Sequence, residues 1–212
     1  MGSNLAINRY AQLGEESYDT NLITGALLWA DMRKLAQLIC SGHTPAAIRS
    51  LVVETNLLQR SRPKTSLNIY SYLSKRLSIS PPSLIRLIAD GNSIVSRQAA
   101  LLAAMLSSRF LREFFGTVVC DRLESFNPSL ASLFWEDYWS SCVANDPSLH
   151  SVRQKTVNKI RSNLLKVLVE VDVLESPKAK ALKAVRFYPQ VTALLKSSEL
   201  MWLKPYIRSF VR

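Results

Sequence analysis

Apolar side chains recur with the period of an α-helix along almost the whole chain. Within residues 44–77, for example, Ile48, Leu51 and Val52 follow the i, i+3, i+4 spacing of a buried helical face. Only 6 of the 212 residues are glycine, and 48% are hydrophobic, which is typical of a globular chain. We therefore expect an all-α multi-helix bundle, in which the alternating run 182–188 is the candidate for a short β wing.

Charge is distributed unevenly along the chain. The net charge is +11, and residues 44–89 carry seven basic side chains against one acidic one. Residues 150–212 carry thirteen against four, whereas residues 90–149 carry four against seven. Two basic blocks around an acidic middle predict an anionic partner that contacts two segments, and this pattern favours nucleic acid.

The chain changes from acidic to basic at Asn145–Pro147, which predicts a domain boundary there. We expect a partly ordered lead-in over residues 1–20 and a helical domain over 21–146 that contains a helix pair at 44–77. Residues 147–212 are then a basic, helical and winged-helix-like segment.

The helix pair at 44–77 is typical of a helix-turn-helix. Thr44 predicts the N-cap of its first helix and Ser61 that of its second, across a tight connection. Arg60 and Arg62 precede the second helix, where free N–H groups and the helix dipole favour a phosphate, so we expect this helix to contribute more than the C-terminal one. Its outward face consists of Lys64, Asn68, Ser71 and Lys75, of which Asn68 is chemically able to read adenine. The alternative is a solvated surface without a ligand.

A long helix with Ser151 as its predicted N-cap forms the second basic block. Its expected buried stripe includes Val157 and Ile160, and no acidic residue occurs between Ser151 and Val169. Like charges at i, i+4 repel each other, which favours an external anion over a merely solvated face. The candidate contacts of this helix are Arg153, Lys155, Lys159, Arg161 and Lys166, with Ser162 between them.

The residues for metal, cofactor or catalytic chemistry are absent at workable spacing. His43 and His150 have no ligand or carboxylate at the required distance along the chain, and no glycine-rich phosphate loop occurs. The 3 cysteines, Cys40, Cys120 and Cys142, are expected to be buried thiols in a reducing cytoplasm. The longest charge-free run, 14 residues, is too short to span a membrane, and no signal peptide is recognisable. We expect a cytoplasmic protein that is not an enzyme and has no small-molecule substrate.

Four runs resemble the BrxA family of bacterial BREX phage-defence systems. They are NLITGALLWADMRKLAQLICSGHT, NLLQRSRPKTSLNI, LIRLIADG and FNPSLASLFWEDYW, in that order. The resemblance implies an all-helical accessory component with a core similar to that of the NusB antitermination factors. It also implies DNA binding, without catalytic residues, beside a methyltransferase, an ATPase and a phosphatase-like protein.

The sequence thus favours binding to double-stranded DNA, mainly through phosphates. Two alternatives stay open. The basic helices are also compatible with A-form RNA recognised by shape, as a NusB-like core suggests. The acidic middle could instead dock the methyltransferase or the ATPase of a BREX complex, which would make the chain an interaction scaffold.

Overall fold

Helices account for nearly all the secondary structure in the computed structural model, which describes residues 17, 18, 20–130 and 133–211. The all-α prediction is confirmed. The candidate wing, residues 182–188, contains no strand; among the described residues only an isolated antiparallel bridge joins Ser129 to Ala181. The α-helices are α1 (Trp29–Cys40), α2 (Pro45–Glu54), α3 (Pro63–Ser78), α4 (Pro82–Asp90), α5 (Ser93–Leu106), α6, α7 (Phe134–Asn145), α8 (Gln154–Glu170) and α9 (Pro189–Leu194).

Helix α6 is one continuous rod in three parts. An α-helical start, Arg109–Glu113, passes into a π-helical stretch, Phe114–Cys120, and ends as the α-helical turn Asp121–Glu124. Three 3₁₀ segments, Asn21–Ile23, Pro147–Ser151 and Met201–Phe210, complete the helical structure of the described residues.

Helix α5 lies at the centre of the bundle. Its alanines, such as Ala99 and Ala103, are fully buried, and their small side chains let α1, α3, α4, α6 and α9 pack against it. Buried side chains from Tyr18 to Phe210 belong to one connected hydrophobic cluster. The division into 21–146 and 147–212 stays a prediction, and the predicted lead-in over 1–20 falls almost entirely outside the described residues.

The sequence predicted some helix starts correctly and misplaced others. The Thr44 hydroxyl accepts a hydrogen bond from the amide of Ala47 at 3.2 Å, as expected of an N-cap. The predicted cap at Ser61 is wrong, because Pro63 begins α3 and holds Arg62 in the extended conformation as the N-cap. The predicted cap at Ser151 is also wrong: that residue ends a 3₁₀ turn, and α8 begins three residues later.

The connection between α2 and α3 is longer than predicted. It runs from Thr55 to Arg62, whereas the turn of a DNA-binding helix-turn-helix has about 3–4 residues. The two helices do pack on each other, and the Tyr70 hydroxyl of α3 donates to the Pro45 carbonyl at 2.8 Å. The helix pair is therefore present, and the DNA-binding interpretation of it stays a prediction.

The cysteine prediction is correct for two residues and wrong for one. Cys120 and Cys142 are buried free thiols, but Cys40 is exposed because it ends α1 beyond the buried face of that helix. Burial raises the pKa of Cys120, and it raises the pKa of Cys142 to about 11. Both buried thiols are thus protonated near neutral pH.

Candidate nucleic-acid interface

The outward face of α3 is cationic and polar, as the periodicity predicts. Ile69, Leu73 and Leu77 are buried on the opposite side of the helix. Among the described residues, no carboxylate forms an ion pair with a lysine of this outward face. The exposed side chains are Lys64, Asn68, Ser71 and Lys75.

The two arginines before α3 have different surroundings. Arg62 is exposed at the N-cap position, where no side chain caps the first N–H groups of the helix. The Arg60 guanidinium instead forms an ion pair with the carboxylate of Asp31, a buried residue of α1. Burial raises the pKa of Asp31 more than Arg60 and Lys34 lower it. Arg60 is thus held against the bundle, and only Arg62 extends freely from this helix end.

Helix α8 presents the longer basic face. Val157, Ile160 and Leu164 are buried on its inner side, as predicted. The described structure gives none of the exposed cations on the outer side a carboxylate partner, and the first acidic residue of the helix is Glu170. The exposed side chains are Arg153, Lys155, Lys159 and Lys166, and Ser162 is half-buried between them.

Arg161 lies on another side of α8, roughly a third of a turn or more around the helix from Lys155, Lys159 and Lys166. Its Nη1 atom is 3.9 Å from a carboxylate oxygen of Glu136, and its guanidinium lies 5.5 Å from the ring centroid of Phe134. Both partners belong to α7, so Arg161 helps to pack α8 against α7. Phe134, Trp135 and Tyr138 of α7 are buried in the core.

A segment from Leu22 to Trp29, here called the strap, contacts both basic helices. From α3, the Tyr72 hydroxyl donates to the Gly25 carbonyl at 3.0 Å. The buried Arg76 guanidinium donates to the carbonyls of Ala26 and Leu27 at 3.2 and 3.0 Å, and also to the Tyr72 hydroxyl. The inner edge of α3 is therefore fixed to the strap by a buried cation.

Helix α8 holds the same strap from its own side. The buried Asn163 amide donates to the Leu22 carbonyl. The Glu170 carboxylate accepts from the amides of Leu27, Leu28 and Trp29 at 3.0, 3.4 and 3.3 Å. It thereby caps the start of α1. Burial raises the pKa of Glu170, although these amides and Arg76 lower it.

These contacts orient the two basic faces. At about 100° per residue, Tyr72 and Arg76 lie roughly a quarter turn from the exposed lysines of α3. On α8, Asn163 lies about 60° from the mean direction of the exposed lysines, and Glu170 lies on nearly the same side as they do, one turn beyond Lys166. Sequence reasoning missed these strap residues. One signal was available for Arg76, because its i+3 spacing from Leu73 places a cation on the apolar side of α3.

Other chemistry is sparse in the structure. Among the described residues, no three or more His, Cys, Asp and Glu side chains gather as a potential metal site. His43 is exposed and its Nδ1 lies 3.0 Å from the Ser41 hydroxyl. No helix in residues 17–211, apart from the few residues left undescribed, is long and apolar enough to cross a membrane.

The fold and these faces define a small all-helical protein with two exposed basic helices held by one strap. The chain belongs to the BrxA family, whose model matches residues 16–199. It is 30% identical to BREX protein BrxA of Paramagnetospirillum magneticum, with 88% of this chain and 94% of that protein covered. It is 28% identical to BREX protein BrxA of Escherichia coli O9:H4, with 86% and 85% covered.

A solved structure supports the fold. The crystal structure of an uncharacterized protein from Magnetospirillum magneticum is similar with a TM-score of 0.80 and 28% identity. The match covers 91% of this chain and 98% of that one, so the whole helical arrangement is shared.

Proposed function

We propose that this chain is a non-enzymatic, double-stranded-DNA-binding component of a BREX anti-phage defence system. The relatives named BREX protein BrxA support the assignment of this chain to such a system. The methyltransferase, ATPase and phosphatase-like protein of such a system are then its candidate protein partners.

One observation carries the DNA-binding proposal. The outer face of α8 exposes Lys155, Lys159 and Lys166, and Arg153 is exposed at the N-cap, all without a neutralising carboxylate among the described residues. Such a face is electrostatically unfavourable alone and is stabilised when phosphates replace its counterions. The strap fixes it relative to the second basic face on α3.

Interactions with phosphate dominate this mode of binding. Lysine and arginine supply charge and position, whereas base recognition needs side chains that match groups in a groove. Asn68 is the single amide on the outer face of α3, so the sequence preference is expected to be weak. Exposed side chains of α3 and α8 would bind separate phosphates of one duplex.

Titration of labelled nucleic acids tests the proposal. Duplex DNA, duplex RNA and single-stranded DNA of one sequence are compared by fluorescence anisotropy at two salt concentrations. We expect tightest binding to duplex DNA and weaker binding at higher salt. Absence of binding at low salt, or salt-independent binding, would refute it. Tighter binding to duplex RNA would favour the RNA-binding alternative instead.

A further inference from the structure

Phe126 is the most exposed large hydrophobic residue of the described chain. Its relative exposure is 93%, and the next, Leu133, is 61% exposed. The ring lies just beyond the end of α6 and contributes almost nothing to the hydrophobic core. Burial therefore gives no reason for a large aromatic side chain at this position.

The backbone conformation at position 126 is one that a phenylalanine rarely adopts. Its φ is +56°, in the left-handed region, and the amide of Asn127 donates to the carbonyl of Arg122 at 3.1 Å. This is the bond of a Schellman helix end, where the left-handed position strongly favours glycine.

Two other helices of this chain end with the same bond. At the end of α1, the His43 amide donates to the Leu38 carbonyl at 3.0 Å, and Gly42 takes the left-handed position. At the end of α8, the position belongs to Asp172, a residue type that adopts this conformation several times more often than most. An aromatic ring at the third site is the exception, and folding stability alone favours glycine there.

The loop that carries the ring is firmly held. The Arg122 guanidinium donates to the Ser129 carbonyl at 2.7 Å. On the other side, the Leu182 amide donates to the Pro128 carbonyl at 2.8 Å, and the Leu130 amide donates to the Lys180 carbonyl at 2.6 Å. The ring is thus presented to solvent from a fixed backbone, which limits the entropy cost of binding.

The residues beside the ring are small or polar, and the nearest carboxylates along the chain, Asp121 and Glu124, form ion pairs with Arg208. Ser125, Asn127 and Pro128 are exposed beside it. The paired segment belongs to residues 176–198, which contain five Lys or Arg residues and no acidic residue. Of these five, Lys180 accepts the backbone hydrogen bond from Leu130, and Lys183 follows three residues later. The Lys183 ammonium also forms an ion pair with the exposed Glu175 carboxylate at 3.6 Å.

We propose that Phe126 is a wedge that inserts at a base-pair step of bound duplex DNA. Minor-groove and architectural proteins insert such apolar side chains between base pairs, while neighbouring cations hold the phosphates. A protein partner is less favoured, because an interface hot spot is surrounded by further apolar contacts, and the exposed residues that flank the ring, Ser125, Asn127 and Pro128, have no large apolar side chain. This inference rests on the proposed function and assigns a new DNA-binding residue to it.

Two variants of the same residue test the wedge. Phe126→Ala removes the ring and keeps the left-handed strain, whereas Phe126→Gly removes both. Both should fold, and the glycine variant should melt at a higher temperature than the wild type. If the ring acts only on DNA, both variants weaken DNA binding equally despite their different stabilities. Met201→Ala, which truncates another exposed apolar side chain, is the matched control.

The readouts separate the wedge from phosphate binding. One duplex carries 2-aminopurine at a central TA step, which unstacks easily, and a second has all its purines on one strand and lacks pyrimidine–purine steps. With the wild type and Met201→Ala we expect increased 2-aminopurine fluorescence, duplex bending by energy transfer, and tighter binding to the TA duplex. Both Phe126 variants should lose these signals and bind the TA duplex about 5- to 30-fold more weakly, with an unchanged salt slope.

Each outcome decides a different question. If the wild type binds neither duplex, the proposed function fails and the wedge fails with it. If the wild type binds and both Phe126 variants match it in unstacking, bending and affinity, DNA binding stands and the wedge is refuted. If the variants keep all DNA signals and no longer associate with another BREX component, the ring binds a protein, and the wedge is likewise refuted.

Discussion

Arg76 and Glu170 hold the same turn of backbone by its opposite polar groups. The guanidinium of Arg76 donates to the carbonyls of Ala26 and Leu27, while the carboxylate of Glu170 accepts from the amides of Leu27, Leu28 and Trp29. The charges of the buried Arg76 and the half-buried Glu170 are thereby compensated by backbone dipoles. Because Arg76 belongs to α3 and Glu170 to α8, this arrangement also fixes the relative position of the two basic helices.

Loss of Arg76 should destabilise the protein strongly. Arg76→Met keeps the length of the side chain but leaves the carbonyls of Ala26 and Leu27 without their donor. We expect the free energy of unfolding to fall by about 2–4 kcal/mol, measured by urea denaturation. Lys75→Met, which changes the exposed neighbour, is the control and should stay within about 0.5 kcal/mol of the wild type. Equal effects of the two substitutions would show that the bonds from Arg76 to the strap contribute little.

Glu170 should make stability depend on pH. Burial raises its folded-state pKa above the usual 4.5, so the folded state binds this proton more tightly than the unfolded state does. The contribution is therefore fully present below pH 4.5 and is lost as pH rises through the raised pKa.

Glu170→Gln removes this titration and keeps an oxygen acceptor for the strap amides. We expect the unfolding free energy of the variant to decline less from pH 4.5 upward than that of the wild type, measured by urea denaturation across a pH series, while the raised pKa of Asp31 contributes a decline in both. The matched control is Glu175→Gln, whose carboxylate is exposed, and its curve should run parallel to that of the wild type. Parallel curves for wild type and Glu170→Gln would contradict the prediction.

DNA binding should weaken steeply with salt. If about five phosphates are neutralised, log affinity should fall with log salt concentration at a slope of roughly −4 to −5. Anisotropy titrations over a salt series measure the slope. A slope near zero would mean that the exposed cations of α3 and α8 do not bind phosphates.

Helix α8 should contribute more to binding than α3. The ion pair between Arg60 and Asp31 reverses the order expected from sequence, because it occupies one of the two arginines before α3. We expect Lys155→Glu with Lys159→Glu to weaken duplex binding more than Arg62→Glu with Lys64→Glu does. Each phosphate that loses its cation should lower the affinity about tenfold.

A third double variant controls for net charge in this comparison. Arg86→Glu with Lys204→Glu makes the same charge change at exposed positions outside α3 and α8. Circular dichroism checks the fold of each variant. If the control weakens binding as much as the α8 double, total charge matters and the face does not. If only the α3 double weakens binding, the helix pair is the site.

Cys40 should be the reactive thiol of the folded protein. It is exposed, whereas Cys120 and Cys142 are buried with raised pKa values. A maleimide reagent should label one site rapidly under native conditions and all 3 cysteines after denaturation, counted by mass spectrometry. Cys40→Ser should abolish the rapid label, and rapid labelling of that variant would show that a buried thiol is accessible.

Features that depend on nearby residues can be predicted directly from the amino-acid sequence. Helical periodicity placed Ile69 and Leu73 on the buried side of α3, and the Thr44 cap follows from one hydroxyl three residues from its amide partner. The exposed lysines of α3 and α8 follow from the same spacing. Local rules suffice here because the interacting groups are within about one or two helical turns.

Contacts between distant segments become visible only in the folded chain. Glu170 caps a helix that begins at Trp29, and Arg60 is neutralised by Asp31 rather than left to face solvent. The exposure of Phe126 likewise depends on what packs around the end of α6. No local pattern encodes these outcomes, because the free energy of a buried charge or an exposed ring is set by which other parts of the chain surround it.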